Sequence, residues 1–156
     1  MVAPSNPGRF KFLQIATASK ALCDKYNIPL IINDRIDIAL AVRADGVHLG
    51  QADMPVSVAR QLLLPGAIIG VSCNTVEQVK RAVQDGADYV GIGTVWATTT
   101  KKLTSPVVGV RGVGAMLEVL DGTRVKAVAI GVVSLLVHIP RYPLIGARVP
   151  RGNQDK

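Results

Sequence analysis

Hydrophobic positions along the chain switch repeatedly between two periods. Phe12, Ile15, Ala16, Leu22, Cys23 and Tyr26 recur at the spacing of one helix face, so residues 11–26 read as an amphipathic helix. The unbroken run Ile28-Pro29-Leu30-Ile31-Ile32, closed by Asn33-Asp34, reads as a buried strand. Helical spacing returns over residues 35–43, Gly46–Leu49 is a short strand, 55–64 a helix and Ala67–Val71 a strand. Thr75, with Gln78 three residues on, is a capping box for the next helix. A strand over Tyr89–Ile92, a helix over 110–120 and a strand over Val125–Ile130 complete the series. Five apolar strands separated by helices of about ten residues predict an α/β fold with parallel pairing and both sheet faces covered. Reactive groups in such folds gather at the carboxyl ends of the strands.

Those ends carry the polar residues worth weighing. The first strand closes on Asn33-Asp34 and the second runs into Gly50-Gln51-Ala52-Asp53. Neighbouring strands lie about 4.8 Å apart, so carboxylates leaving adjacent ends can converge on one cation. Mg2+ suits that arrangement, since it takes one or two carboxylates together with phosphate oxygens and water. The competing role for Asp34 is to cap the following helix. Ser72, at the end of the third strand, offers a hydroxyl to a phosphate, with a helix cap as its competing role. The fourth strand runs into GIGTVWATTTKK, where Thr98, Thr99, Thr100, Lys101 and Lys102 cluster donors that strengthen on meeting an oxyanion. A solvated polar loop is the alternative there. No serine–histidine–acid set is legible, and neither His48 nor His138 has a sequence partner that would make it catalytic.

Composition narrows the classes. With 49% hydrophobic and 19% charged residues in 156, the chain is a single folded domain and not a disordered segment. It is also shorter than the roughly 200 residues of a complete (β/α)8 barrel. The net charge of +7 sits mostly in two flanks, +3 in residues 1–25 and +3 in 132–156. Nucleic-acid surfaces interleave basic and aromatic groups on the folded body; aromatics here are 4%, so no nucleic-acid partner is expected. Cys23 and Cys73 are far apart, without a C-x-x-C or paired histidine, which reads as two reduced thiols in a cytoplasmic protein. The opening MVAPSNPGRFK lacks the apolar core of a secretory signal. Because the first acid is Asp24, the start also has the charge of a mitochondrial presequence, but an ordinary basic helix is the reading adopted. The stretch AVAIGVVSLLVHIP falls short of the ~20 apolar residues that span a bilayer. No membrane partner is expected, and the stretch reads as a buried strand with an apolar extension.

The segments IPLIINDRIDIALAVRADGVHLGQADMP, IIGVSCNT, GADYVGIGTVWATTTKK and VKAVAIG resemble thiamine phosphate synthase, from about Phe12 to Gly131. IIND, ADGVHLGQ-x-D, GADYVGIG and T-x-T-K are jointly specific. LTSPVVGVRGVGAMLEVLDG looks most like the fungal versions, usually fused to a hydroxyethylthiazole kinase, of which these 156 residues contain no portion. The resemblance implies a TIM barrel that condenses hydroxymethylpyrimidine diphosphate with hydroxyethylthiazole phosphate, giving thiamine phosphate and pyrophosphate. It implies that Asp34 and Asp53 hold Mg2+ and that Asn33 lies close to the substrate. It further implies that Ser72 and Lys101 bind the pyrophosphate as catalytic groups, that Thr98 and Thr100 take the thiazole phosphate, and that Gly131 belongs to a phosphate-binding turn. No general base is needed for that chemistry. Against the family, residues 1–11 replace two strands and a Gln-x-Arg-Glu-Lys motif, residues 12–131 form a partial barrel, and 132–156 are an unmatched basic tail. The expected fold is therefore an incomplete (β/α)8 barrel of five strands, whose open edges invite association with another copy. The competing functional reading is a catalytically inactive truncated product or interaction module.

Overall fold

In the computed structural model, which describes residues 7–97 and 106–131, helices and strands alternate. They are α1 (Pro7–Lys25), β1 (Ile31–Asn33), α2 (Ile36–Val42), β2 (Gly46–Leu49), α3 (Val56–Leu62), β3 (Ile68–Cys73), α4 (Val76–Gln84), β4 (Tyr89–Ile92), α5 (Gly109–Leu120) and β5 (Lys126–Ala129). Every expected element is present, β2 and β4 with the expected bounds and the others with altered ends. The first strand begins at Ile31 and not Ile28, since Pro29 has no N–H to give a ladder. The first helix begins four residues early, at Pro7, whose fixed φ suits a first turn.

The five strands form one parallel sheet in the order β1-β2-β3-β4-β5. Parallel crossovers are right-handed, so a strand order that always advances the same way puts every connecting helix on one side. The burial pattern agrees. Val47, Leu49, Ile69, Val71, Cys73, Val90 and Ile92 are almost wholly buried and join Ala39, Ala59, Val79, Ala82, Val113 and Met116 in a single core. These seven strand residues share one face. The sheet is thus five consecutive strands of a (β/α)8-type barrel wall.

The expectation that both faces are covered is corrected here. Strand register places Asn33, His48, Gly70, Ser72, Tyr89 and Gly91 together on the other face, as exposed, half-exposed or glycine positions. In a barrel wall that face points inward and is lined by its own side chains. Two further expectations change for related reasons. The strand at Val125–Ile130 was expected to be buried, yet β5 is exposed along its whole length, an edge that pairs with β4 alone among the described residues. The apolar stripe of α1 is half used. Ala16 is 2% exposed and Phe12 packs on the core, but Ile15, Leu22 and Tyr26 stand in solvent. α1 nonetheless belongs to the domain, because Lys20 bridges Asp24 and, at 3.5 Å, Asp45 at the foot of β2.

The amino ends of the strands are braced by a repeated device. Asp45 and Asp88, each following an alanine and preceding a strand, turn a carboxylate onto a neighbouring backbone N–H. Asp45 Oδ2 accepts from Leu30 N at 2.8 Å, and Asp88 Oδ2 from Ile69 N at 2.7 Å. Arg60 completes the second brace by donating to Asp88 and to the carbonyls of Gly86 and Ala67. The Leu30 N–H, with help from Lys20, holds the Asp45 carboxyl below its ordinary value. A carboxyl depressed in the folded state binds fewer protons than in the unfolded chain, so its contribution is present above the ordinary range and lost as pH falls through the folded value. Urea midpoints measured from pH 7 down to 3 should therefore fall less steeply for Asp45→Asn than for the wild type; equal slopes would remove Asp45 from the acid limb.

Both cysteines are free. Cys73 is fully buried in β3 and burial pushes its thiol up to about 11, whereas Cys23 on α1 is half-buried. Since the thiolate is the reactive form, Cys23 should react with a thiol reagent in the native chain and Cys73 only on unfolding. Mass spectrometry after native labelling reads this directly.

Candidate active site

β1, β2 and β3 each deliver a polar group at or just beyond the carboxyl end, and the local structure fixes each one. β1 ends at Asn33, which is exposed, and Asp34 follows at φ 62°. That left-handed conformation is one that aspartate tolerates better than most residues. Its N–H donates to His48 O at 2.8 Å, carrying the β1–β2 ladder one step further and holding Asp34 beside the end of β2. The N-cap position of α2 is Arg35, so Asp34 is not the helix cap.

β2 runs into a tight turn. Asp53 Oδ2 accepts from Gly50 N at 2.6 Å while Asp53 N donates to Gly50 O at 3.2 Å. Gln51 Nε2 donates to Ser72 O at 2.7 Å and pins this turn over the end of β3. Asp34 and Asp53 thus leave adjacent strand ends on one rim. Among the described residues no group of three or more His, Cys, Asp or Glu gathers to hold a metal. A two-carboxylate set does not make a closed protein cage, but it fits Mg2+ that takes its remaining ligands from phosphate and water. A carboxylate accepting one N–H keeps acceptor capacity for such an ion.

Ser72 lies inside β3 and is not a cap. The cap of α4 is Thr75, which accepts from Gln78 N at 3.2 Å. The reciprocal half of the expected capping box is displaced by one residue, as Gln78 Oε1 accepts from Asn74 N at 2.6 Å. The Ser72 hydroxyl instead meets His48 Nε2 at 2.8 Å, and His48 Nδ1 meets the Tyr89 hydroxyl at 2.8 Å. His48 thus has two hydrogen-bond partners that its sequence neighbours do not reveal: they come from two other strands, and only the sheet register brings them within reach. Burial pulls the imidazole below its ordinary value, opposed by the nearby Asp34 charge. The ring is accordingly neutral at neutral pH, with one nitrogen a donor and the other an acceptor. Burial also raises the Tyr89 phenol, which remains an O–H.

Gly131 follows β5 at φ 93° and lies against the continuation of β4; a Cβ there would stand 2.4 Å from Thr94 Cγ2. Thr98, Thr100 and Lys101, with Thr99 and Lys102, lie outside the described residues. The backbone on either side of them is tied together, with Val108 N donating to Thr94 O at 2.8 Å and Gly109 N to Val95 O at 3.1 Å. Asn33, Asp34, Asp53, Ser72 and Gly131 therefore share the rim that carries both stems of that segment. Nothing local in the sequence gives Gln51, His48 or Tyr89 a role at this rim. Their signal was a period of two, which puts His48 and Tyr89 on the face of Ser72 once the register is known.

A parallel barrel wall with carboxylates and hydroxyls along its carboxyl rim places the chain in the α/β class of (β/α)8-type folds. Within it, the family model for thiamine monophosphate synthase matches residues 7–136, and the chain belongs to that family. A thiamine-phosphate synthase of Alkaliphilus oremlandii is 54% identical over 97 residues, 62% of this chain and 46% of that protein. A probable thiamine biosynthetic bifunctional enzyme of Schizosaccharomyces pombe is 50% identical over 107 residues, 69% of this chain and 21% of that protein. The solved thiamine phosphate pyrophosphorylase of Pyrococcus furiosus superposes with a TM-score of 0.67 at 34% identity, covering 84% of this chain and 60% of its own. The chain thus spans between a fifth and three fifths of the length of these relatives. No helix among the described residues is long and apolar enough to cross a membrane.

Proposed function

We propose that this chain acts in thiamine biosynthesis, joining hydroxymethylpyrimidine diphosphate to hydroxyethylthiazole phosphate. The observation that carries the reading is the placement of Asp34, Asp53 and Ser72 on one rim of a fold whose relatives are named for this synthesis. In the reaction the bond between the pyrimidine methylene carbon and the diphosphate oxygen breaks, and its electron pair leaves with pyrophosphate. The thiazole ring nitrogen supplies the lone pair for the new C–N bond. That nitrogen bears no proton, so no residue need act as a base.

The Ser72 hydroxyl donates to a diphosphate oxygen, which strengthens as charge builds on the leaving group. Asn33 orients the pyrimidine from the end of β1. Mg2+, held by Asp34 and Asp53, would neutralise diphosphate charge. Lys101 adds a cation to the same group, and Thr98, Thr100 and Gly131 take the thiazole phosphate. Incubating the full chain with both substrates and Mg2+, and measuring thiamine phosphate by chromatography, tests the proposal. Product is expected with Mg2+ and absent after chelation. Folded chain that yields none would favour an inactive member of the family. Self-association through the β1 or β5 edge belongs to the same proposal, and sedimentation of the active species reads it.

A further inference from the structure

The inward face of the sheet carries a polar assembly that the reaction as proposed leaves unused. Tyr89 on β4 reaches back over Gly70 of β3, and His48 on β2 reaches forward to Gly91 of β4. A Cβ at residue 70 would lie 2.0 Å from the Tyr89 ring, and one at residue 91 would lie 3.1 Å from His48 Cε1. Two glycines thus make room for a tyrosine–histidine–serine chain across three strands, with each link at 2.8 Å.

The Ser72 hydroxyl has one proton, and a neutral imidazole has one donor and one acceptor nitrogen. Only two arrangements satisfy the chain. In one, Ser72 donates to His48 Nε2 and His48 Nδ1–H donates to Tyr89; the serine proton is consumed and lone pairs face the rim. In the other, Tyr89 donates to His48 Nδ1 and His48 Nε2–H donates to Ser72. The serine proton is then released toward the rim, at the end of a run of aligned donors that polarise one another. An anion at Ser72 is repelled by the first arrangement and selects the second.

The geometry points to His48 and Tyr89 as positioning residues that turn the Ser72 hydroxyl proton outward to meet a diphosphate oxygen. This rests on the reading of Ser72 as a diphosphate ligand, and the test separates the two. Inorganic pyrophosphate with Mg2+ is the probe, added to the full chain labelled with 15N-histidine. His48 should move to the Nε2–H tautomer on binding, read from its two nitrogen shifts. By calorimetry, His48→Leu should weaken pyrophosphate binding by roughly 10-fold or more, the scale of one hydrogen bond to a charged group. His48→Gln, which keeps an N–H donor directed at Ser72, should recover most of that loss. Tyr89→Phe should weaken binding several-fold and abolish the tautomer preference, which settles the matter even if His48→Leu fails to fold. Pyrophosphate bound by the wild type with the tautomer unmoved, or bound equally by Tyr89→Phe, overturns the positioning role and leaves the synthase reading standing. A wild type that does not bind pyrophosphate overturns both.

Discussion

Asp34→Asn and Asp53→Asn should each lower Mg2+-dependent thiamine phosphate formation by roughly 100-fold or more in kcat/KM, the scale of removing one group that stabilises leaving-group charge. The choice of asparagine matters at residue 34. With φ at 62°, an alanine there would add backbone strain to the loss of charge, whereas asparagine tolerates the left-handed region almost as well as aspartate. At residue 53 the asparagine carbonyl can still accept from Gly50 N, the bond that closes the turn. Both variants should therefore keep the wild-type unfolding midpoint within error while losing turnover, and Mg2+ should no longer rescue activity at low millimolar concentration. Full activity in Asp34→Asn would remove the carboxylate pair from the mechanism. A lowered unfolding midpoint would instead move Asp34 from chemistry to structure.

The second large effect concerns Gly70. Its added methyl carbon would lie 2.0 Å from Tyr89 Cζ and 2.4 Å from the Tyr89 hydroxyl oxygen, distances at which the ring must move aside. Gly70→Ala should therefore expel the ring from its place over β3, break its bond to His48 and destabilise the chain by about 1–3 kcal/mol, the usual cost of overpacking. Because the loss comes from one collision, it should couple strongly to its partner. In a Gly70→Ala/Tyr89→Ser double variant much of the stability should return, since the serine leaves space where the ring stood. Denaturant midpoints of the two single variants and the double variant decide it. Strict additivity of the two effects would mean that the ring does not depend on residue 70.

Much of this arrangement was legible along the chain, for identifiable reasons. Runs such as Ile31-Ile32 and Tyr89–Ile92, set between helical repeats, announce buried parallel strands because each element satisfies its own local periodicity. Asp34, Asp53 and Ser72 were readable as candidates because each lies at or just beyond the carboxyl end of a strand, where a parallel sheet exposes its chemistry. The errors are equally particular. β5 has the composition of a buried strand, yet exposure depends on what packs beside it, and no property of Lys126–Ala129 encodes its neighbour. Ile15 and Leu22 obey helical spacing, but spacing does not say how much of a stripe finds a partner.

Local pattern determined by itself the order of the elements, their parallel sense and the residues at their ends, because hydrophobic period and turn chemistry act over a few neighbours. Tertiary structure alone decided which face the helices cover and which side chains meet on the other. Residues 48, 72 and 89 stand on three strands, and their two hydrogen bonds exist only because sheet register brings positions separated by 24 and 41 residues to 2.8 Å.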